Sequence, residues 1–205
     1  MVVKYELSQI ERLRNFLEYQ NGTLLTSDLT KFNIPRIYLS TLEHNGEIER
    51  VSRGIYRLVA SIDDEMFNYQ VRYKSSIFSN ETALYLHDLT DRTPFSYSIS
   101  IPVGYHSISL NKSGTKIFYV NRKFFALGVI LMKSPHGNEI RTTNLERTIC
   151  DVLRSMNQVD VQFVNKTLRK YVAPKTRILT NSTTMPHDSE SKKLFELILR
   201  FFSKN

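Results

Sequence analysis

The chain has 205 residues, enough for one large domain or two modest ones, and its 41% hydrophobic and 11% aromatic content supports a packed core and excludes a disordered chain. A net charge of +8 and a pI near 9.5 favour a polyanionic partner, either nucleic acid or an acidic membrane surface. A single cysteine, Cys150, excludes an internal disulfide and a multi-cysteine zinc site. No apolar run approaches the roughly 20 residues of a membrane span, and the N-terminus lacks a signal pattern, so a cytoplasmic location without membrane partners is expected.

Ser8 to about Tyr19 reads as a first helix. Ser8 and Glu11 match a capping box, and Ile10, Leu13, Phe16 and Leu17 form one apolar stripe. Asn21-Gly22 ends it, and Thr23-Leu24-Leu25 is short and β-like. Thr26 is expected to cap a second helix over about 27–32, after which Asn33-Ile34 turns into a third. Pro35 suits the first position of that third helix, and Gly46 its left-handed end. Leu39 and Leu42 share a face that can pack on a core. Two strands follow, 48–51 and 55–58, joined at Ser52-Arg53-Gly54, where the glycine meets a tight hairpin's need for positive φ.

Helix, short strand, helix, turn, helix and hairpin within about 58 residues is the order of a winged helix-turn-helix, in which two helices hold a third at an angle suited to the major groove. The DNA-binding set expected on this reading is Arg36, Tyr38, Ser40, Thr41 and His44 on the third helix and Arg50, Ser52 and Arg53 on the wing.

Beyond a short junction at 60–63 the pattern changes. A helix is expected from Asp64 to about Arg72. Another runs through Leu86 with Ser79 as its cap. Strands follow at 97–101, 116–120, 129–133 and 139–142, bounded by Pro102, Gly104, Gly114, Gly128 and a turn at 135–138. Thr143 and Glu146 match a second capping box. It opens a helix through about Ser155 with Leu145, Ile149, Val152 and Leu153 inward. A helix starting at Asp160 turns Val161, Val164 and Leu168 inward. Residues 174–191 read as a polar loop, and 191–202 as a last amphipathic helix. The fold class is therefore α+β: a winged domain over 1–60, then a larger mixed α+β domain over 61–205.

Residues 1–60 carry 8 basic and 7 acidic side chains, so the positive excess lies in the second part, with 20 basic against 13 acidic. It concentrates in Lys112, Lys116, Arg122, Lys123, Lys133, Arg141, Arg147, Arg154, Lys166, Arg169 and Lys170, continuing to Lys175 and Arg177. A basic face there would attract phosphates.

Catalytic signals are weak. Cys150 falls near the apolar side of a helix, where a thiolate is not favoured. His44, His87, His106, His136 and His187 lack metal-ligand spacing, and no glycine-rich phosphate loop occurs. Glu81, Asp88 and Asp91 could be paired carboxylates, or solvated turn residues. No catalytic residue, metal or cofactor is expected.

The run Ile34-Pro35-Arg36, Leu39, Leu42 and 46–57 (Gly-Glu-Ile-Glu-Arg-Val-Ser-Arg-Gly-Ile-Tyr-Arg) resembles the AbiEi-type antitoxins of type IV toxin–antitoxin, or abortive infection, systems. The second part adds to the match through 77–87 (Ile-Phe-Ser-Asn-Glu-Thr-Ala-Leu-Tyr-Leu-His), 91–94 (Asp-Arg-Thr-Pro), 101–105 (Ile-Pro-Val-Gly-Tyr) and 144–151 (Asn-Leu-Glu-Arg-Thr-Ile-Cys-Asp). The resemblance covers roughly residues 8 to 172. It implies a winged domain that represses its own operon by binding inverted repeats in double-stranded DNA. It also implies a second domain that counters a nucleotidyltransferase-like toxin without forming a stable complex with it. Two other readings remain open on the residues: a DNA-targeted metal-dependent nuclease, and an adaptor whose wing packs on a partner protein.

Overall fold

The computed structural model describes residues 8–105, 110, 114–155 and 161–172, with the backbone alone for 161–165 and 172. It divides into two compact units, the first of residues 1–69 and 133–139 and the second of the remainder.

In the first unit the helices are α1 (Gln9–Tyr19), α2 (Thr26–Lys31) and α3 (Ile37–His44), and the strands β1 (Thr23–Leu25), β2 (Ile48–Ser52) and β3 (Ile55–Leu58). The strands form one antiparallel sheet in the order β1-β3-β2. The order of elements is that of a winged helix-turn-helix. Leu13, Leu17, Leu24, Leu29, Ile34, Leu39, Leu42 and Ile48 make its core. At ~1.5–3 kcal/mol for each fully buried aliphatic side chain, these residues dominate the gross stabilisation.

The capping box of α1 is present, with the Glu11 N–H donating to Ser8 Oγ and the Ser8 N–H to the Glu11 carboxylate. The three helices share one kind of ending. Asn21, Asn33 and Gly46 each take positive φ, and the N–H that follows each returns to a carbonyl five residues back: Gly22 to Leu17, Ile34 to Leu29, Glu47 to Leu42. This brings Ile34 and Ile48 onto the core.

Two start signals act differently from the sequence expectation. Pro35 stands two residues before the first helical residue of α3. Bonds from Tyr38 N–H to the Pro35 carbonyl and from Leu39 N–H to that of Arg36 tighten the entry. Thr26 is already helical and caps nothing. Its N–H and hydroxyl both donate to the Gly54 carbonyl at the wing turn, 2.9 and 3.4 Å away.

The remaining part of this unit is held by a buried carboxylate. Asp64, 2% exposed, accepts from the Phe67 N–H at the start of α4 (Glu65–Arg72). Its other oxygen accepts from the Ser134 hydroxyl and from Asn138 Nδ2. Asn21 Nδ2 donates to the Gly137 carbonyl at 2.9 Å. The segment 133–139 is thus fastened by hydrogen bonds.

The second unit holds β4 (Ile77–Phe78), α5 (Asn80–Leu86), β5 (Ser98–Pro102), β6 (Lys116–Val120), α6 (Arg122–Phe125), β7 (Val129–Lys133), β8 (Glu139–Thr143), α7 (Leu145–Arg154) and α8 (Val161–Val172). The end residues Lys133 and Glu139 group with the first unit. The sheet order is β6-β5-β4-β8-β7, mixed, with β4/β5 antiparallel and β4/β8 and β5/β6 parallel. Leu84, Leu89, Ile149, Val152 and Leu168 form a helical core. The chain is α+β, as its pattern implies.

β4 is too short for a periodic signal, yet it takes the central place in the sheet. The second capping box does not form. Thr143 stays in β8 and shares its hydroxyl with Thr148, while Asn144 Oδ1 accepts the Arg147 N–H and caps α7. Ser79 occupies the N-cap position of α5 without a side-chain cap bond. The expected helix start at Asp160, the inward positions Val161 and Val164, the loop 174–191, the helix 191–202, and Lys112, Lys175, Arg177, His106 and His187 lie outside what is described.

Candidate nucleic-acid interface

At about 100° per residue, α3 separates its side chains into two faces. Leu39 and Leu42 enter the core, and Tyr38 is half-buried against it. Ile37, Ser40, Thr41 and His44 fall on the opposite, exposed face, with Arg36 exposed at its start. Thr41 Oγ1 donates to the Ile37 carbonyl at 3.3 Å, so its proton is committed within the helix. The wing carries Arg50 and Arg53 exposed and Ser52 half-buried opposite Ile55. The register shifts between Arg50 and Ser52, a bulge at Val51 that bends the strand next to the turn.

The arginines divide sharply. Arg12 bonds Gln9 and the Phe32 carbonyl. Arg14 grips Glu47, Lys31 pairs with Asp28 at 2.8 Å, and Arg57 binds Glu49 across the β2–β3 register and lies 3.7 Å from Asp63. Arg14, Lys31 and Arg57 are thus paired with carboxylates, while Arg12 is held by neutral acceptors. Arg36, Arg50 and Arg53 have no carboxylate within ion-pair distance among the described residues. Among the described residues of the winged part, the arginines without an internal partner therefore stand at the start of α3 and on the wing, where an arriving polyanion would meet them. Of the expected set, Tyr38 alone is turned toward the core. Ile37, which sequence reasoning left out, is 66% exposed on the same face as Ser40 and Thr41.

Several of the described basic residues of the second part are partnered where they stand. Lys116 lies on β6 and Lys133 on β7, the first and last strands of the sheet order. Lys116 is held by both Glu81 oxygens at 3.0 Å, Lys133 lies 3.8 Å from Glu139, and Lys170 3.4 Å from Asp91. Arg122 donates to the Val103 carbonyl, and Arg141, half-buried, to that of Lys74. Burial lowers the pKa of Arg141. Arg154 is 3.9 Å from Asp151, and Lys123, Lys166 and Arg169 are exposed.

Arg147 is not on the surface at all. It is 8% exposed, donates to the carbonyls of Phe125 and Leu127, and pairs with Asp151 at 3.2 Å. Burial raises the pKa of Asp151, and the Arg147 charge acts against that rise. Its role is to join α7 to the chain after α6.

Burial pushes the Cys150 thiol up to about 11, away from a reactive thiolate. Glu81 and Asp91 each face a lysine ammonium. Among the described residues no three His, Cys, Asp or Glu side chains come together as a ligand set, and no helix is long and apolar enough to cross a membrane.

Residues 11–59 match the family model described as "Transcriptional regulator, AbiEi antitoxin". No curated protein matches the chain. Among solved structures, that of the RV2827C protein from Mycobacterium tuberculosis aligns over 82% of this chain and 73% of its own, at 12% identity and a TM-score of 0.45. That match spans most of α1 through the wing, so this part of the chain, with Arg36, Arg50 and Arg53, is similar to the AbiEi antitoxin family of transcriptional regulators.

Proposed function

We propose that the chain is an autorepressor and antitoxin of a type IV system, acting by binding and not by catalysis. In this reading α3 enters the major groove of inverted repeats in the chain's own promoter and the wing lies along the flanking backbone. Acting on promoter DNA places it in the cytoplasm. The second part, over 61–205, counters a nucleotidyltransferase-like toxin without a stable complex. The observation that carries the DNA-binding half is the division of the basic residues: among those described in the winged part, Arg12, Arg14, Lys31 and Arg57 are partnered internally, and Arg36, Arg50 and Arg53, which are not, stand at the start of α3 and on the wing.

The test uses the full chain in cells that carry its promoter fused to a reporter, with and without the neighbouring toxin gene. Replacing Arg36 and Arg53 with Ala should lose repression and keep rescue. Reversing the charge of Lys112, Arg122 and Lys123 should lose rescue and keep repression. If every variant that loses one activity loses the other, the division of labour is wrong. If the purified chain shifts no promoter DNA, the repressor reading is wrong.

A further inference from the structure

The exposed face of α3 is not uniformly polar. Ile37 is its first helical residue and shows 66% of its surface. The core does not call for it there, since Leu39 and Leu42 already fill the opposite side. One turn further on, Thr41 spends its hydroxyl proton on the Ile37 carbonyl. What Thr41 presents outward is then mainly its methyl group and oxygen lone pairs. Ile37 and Thr41 together make a small apolar spot, bracketed by Arg36 at the helix start and His44 at its end, with Ser40 alongside.

A solitary exposed isoleucine is ordinary on a protein surface. This one stands at the N-terminal end of a helix in the recognition position, the end that contacts base edges in helix-turn-helix complexes. It also stands beside a guanidinium with no internal partner. The positive charges select a polyanion, and the apolar spot has a counterpart in the major groove. Of the four bases only thymine displays a methyl group there, and aliphatic side chains read it by contact.

We propose that Ile37 is a specificity residue that reads a thymine methyl group in each half-site, with the Thr41 methyl completing the contact. This rests on the DNA-binding reading above. It adds a residue and a base chemistry that the charges alone do not supply.

The experiment replaces single thymines in the promoter fragment with deoxyuridine, which removes the methyl group and leaves every hydrogen-bonding group in place. Binding of the full chain is followed by mobility shift. One thymine per half-site should show about fourfold weaker binding as uracil, the value of one buried methyl group. Ile37→Ala should bind the native fragment more weakly and become indifferent to that replacement. Ile37→Val should keep the dependence. Because Ile37 is exposed, neither variant should disturb folding. Equal binding to all uracil-substituted fragments, or an Ile37→Ala variant that keeps the full methyl dependence, overturns the proposal while DNA binding stands. A chain that shifts no double-stranded DNA overturns the DNA-binding reading and this inference with it.

Discussion

Arg14 holds Glu47 through two parallel hydrogen bonds, Nε to Oε2 and Nη2 to Oε1, each 2.8 Å. The pair joins the middle of α1 to the residue that closes α3 and opens the wing. Its hydrogen bonds hold the Glu47 carboxyl below its ordinary pKa and raise that of Arg14. A carboxylate with a lowered folded pKa adds stability above its unfolded value and loses it as pH falls through the folded one. Arg14→Ala should therefore lower the Tm at neutral pH and leave it nearly unchanged below the folded pKa of Glu47. Thermal melts across the acid range check this. A Tm difference that is the same at every pH would show that packing, and not the ion pair, is what Arg14 contributes.

The contrast among the arginines makes a second prediction. A side chain making a good bidentate base contact gives about 1–3 kcal/mol of discrimination. Arg36→Ala should weaken promoter binding by an amount in that range at unchanged Tm. Arg12→Ala, which removes a residue already bonded to Gln9 and Phe32, should leave binding alone. Titration of both variants against the same fragment decides. Equal affinity of Arg36→Ala and the parent would remove Arg36 from the interface.

On the wing, Arg53 should meet phosphate. Losing one such contact reduces the slope of log K against log salt by about 0.9. Arg53→Ala should show that change and weaken binding to promoter and random DNA alike. A loss confined to the promoter would assign Arg53 to base recognition.

Gly46 tests the geometry that sets the wing after α3. Its φ is +71°, and a Cβ placed there would meet nothing within 4 Å. The cost of Gly46→Ala is then backbone strain alone, about 1–2 kcal/mol for a left-handed non-glycine residue. Denaturant unfolding measures it. Gly46→Asn should cost less, since Asn21 and Asn33 hold the same kind of conformation at the ends of α1 and α2. If Ala and Asn prove equally harmless, the strain argument fails.

Arg147 separates structural from antitoxic charge. Removing it would leave Asp151 with only the more distant Arg154 and two carbonyls without this donor, a change that costs up to about 3–5 kcal/mol when a buried pair is broken. Arg147→Ala should unfold the second unit at lower denaturant. Arg147→Lys should not repair it, because one ammonium cannot reproduce the guanidinium's spread of bonds. A variant of full stability that fails only to rescue cells from the toxin would return Arg147 to a functional surface.

Much of the winged part was legible in the residues themselves. The capping box at Ser8, the apolar spacing in α1, and the turn at Arg53-Gly54 are local signals, each satisfied within a few residues by hydrogen bonds or helical geometry. Local signals failed where another partner competed. Thr26 gave its bonds to the Gly54 carbonyl, 28 residues away, and Thr143 gave its hydroxyl to Thr148, so neither capped a helix. Two-residue β4 has no period to read, and its place at the centre of the sheet follows from partners at Ser100, Ile99 and Thr142.

The same distinction runs through the charges. The amino-acid sequence by itself determined how many arginines the winged part has, which helix and hairpin carry them, and the order of elements that makes it a winged helix-turn-helix. Only the tertiary structure decided which of them are free. Glu47 reaches Arg14 and Glu49 reaches Arg57 because folding brings residues 33 and 8 positions apart into contact. It likewise decided that Arg147 is buried and that Lys116 meets Glu81. Composition counts charges, but an ion pair depends on distance, and distance between residues far apart in sequence is set by the packing of the core.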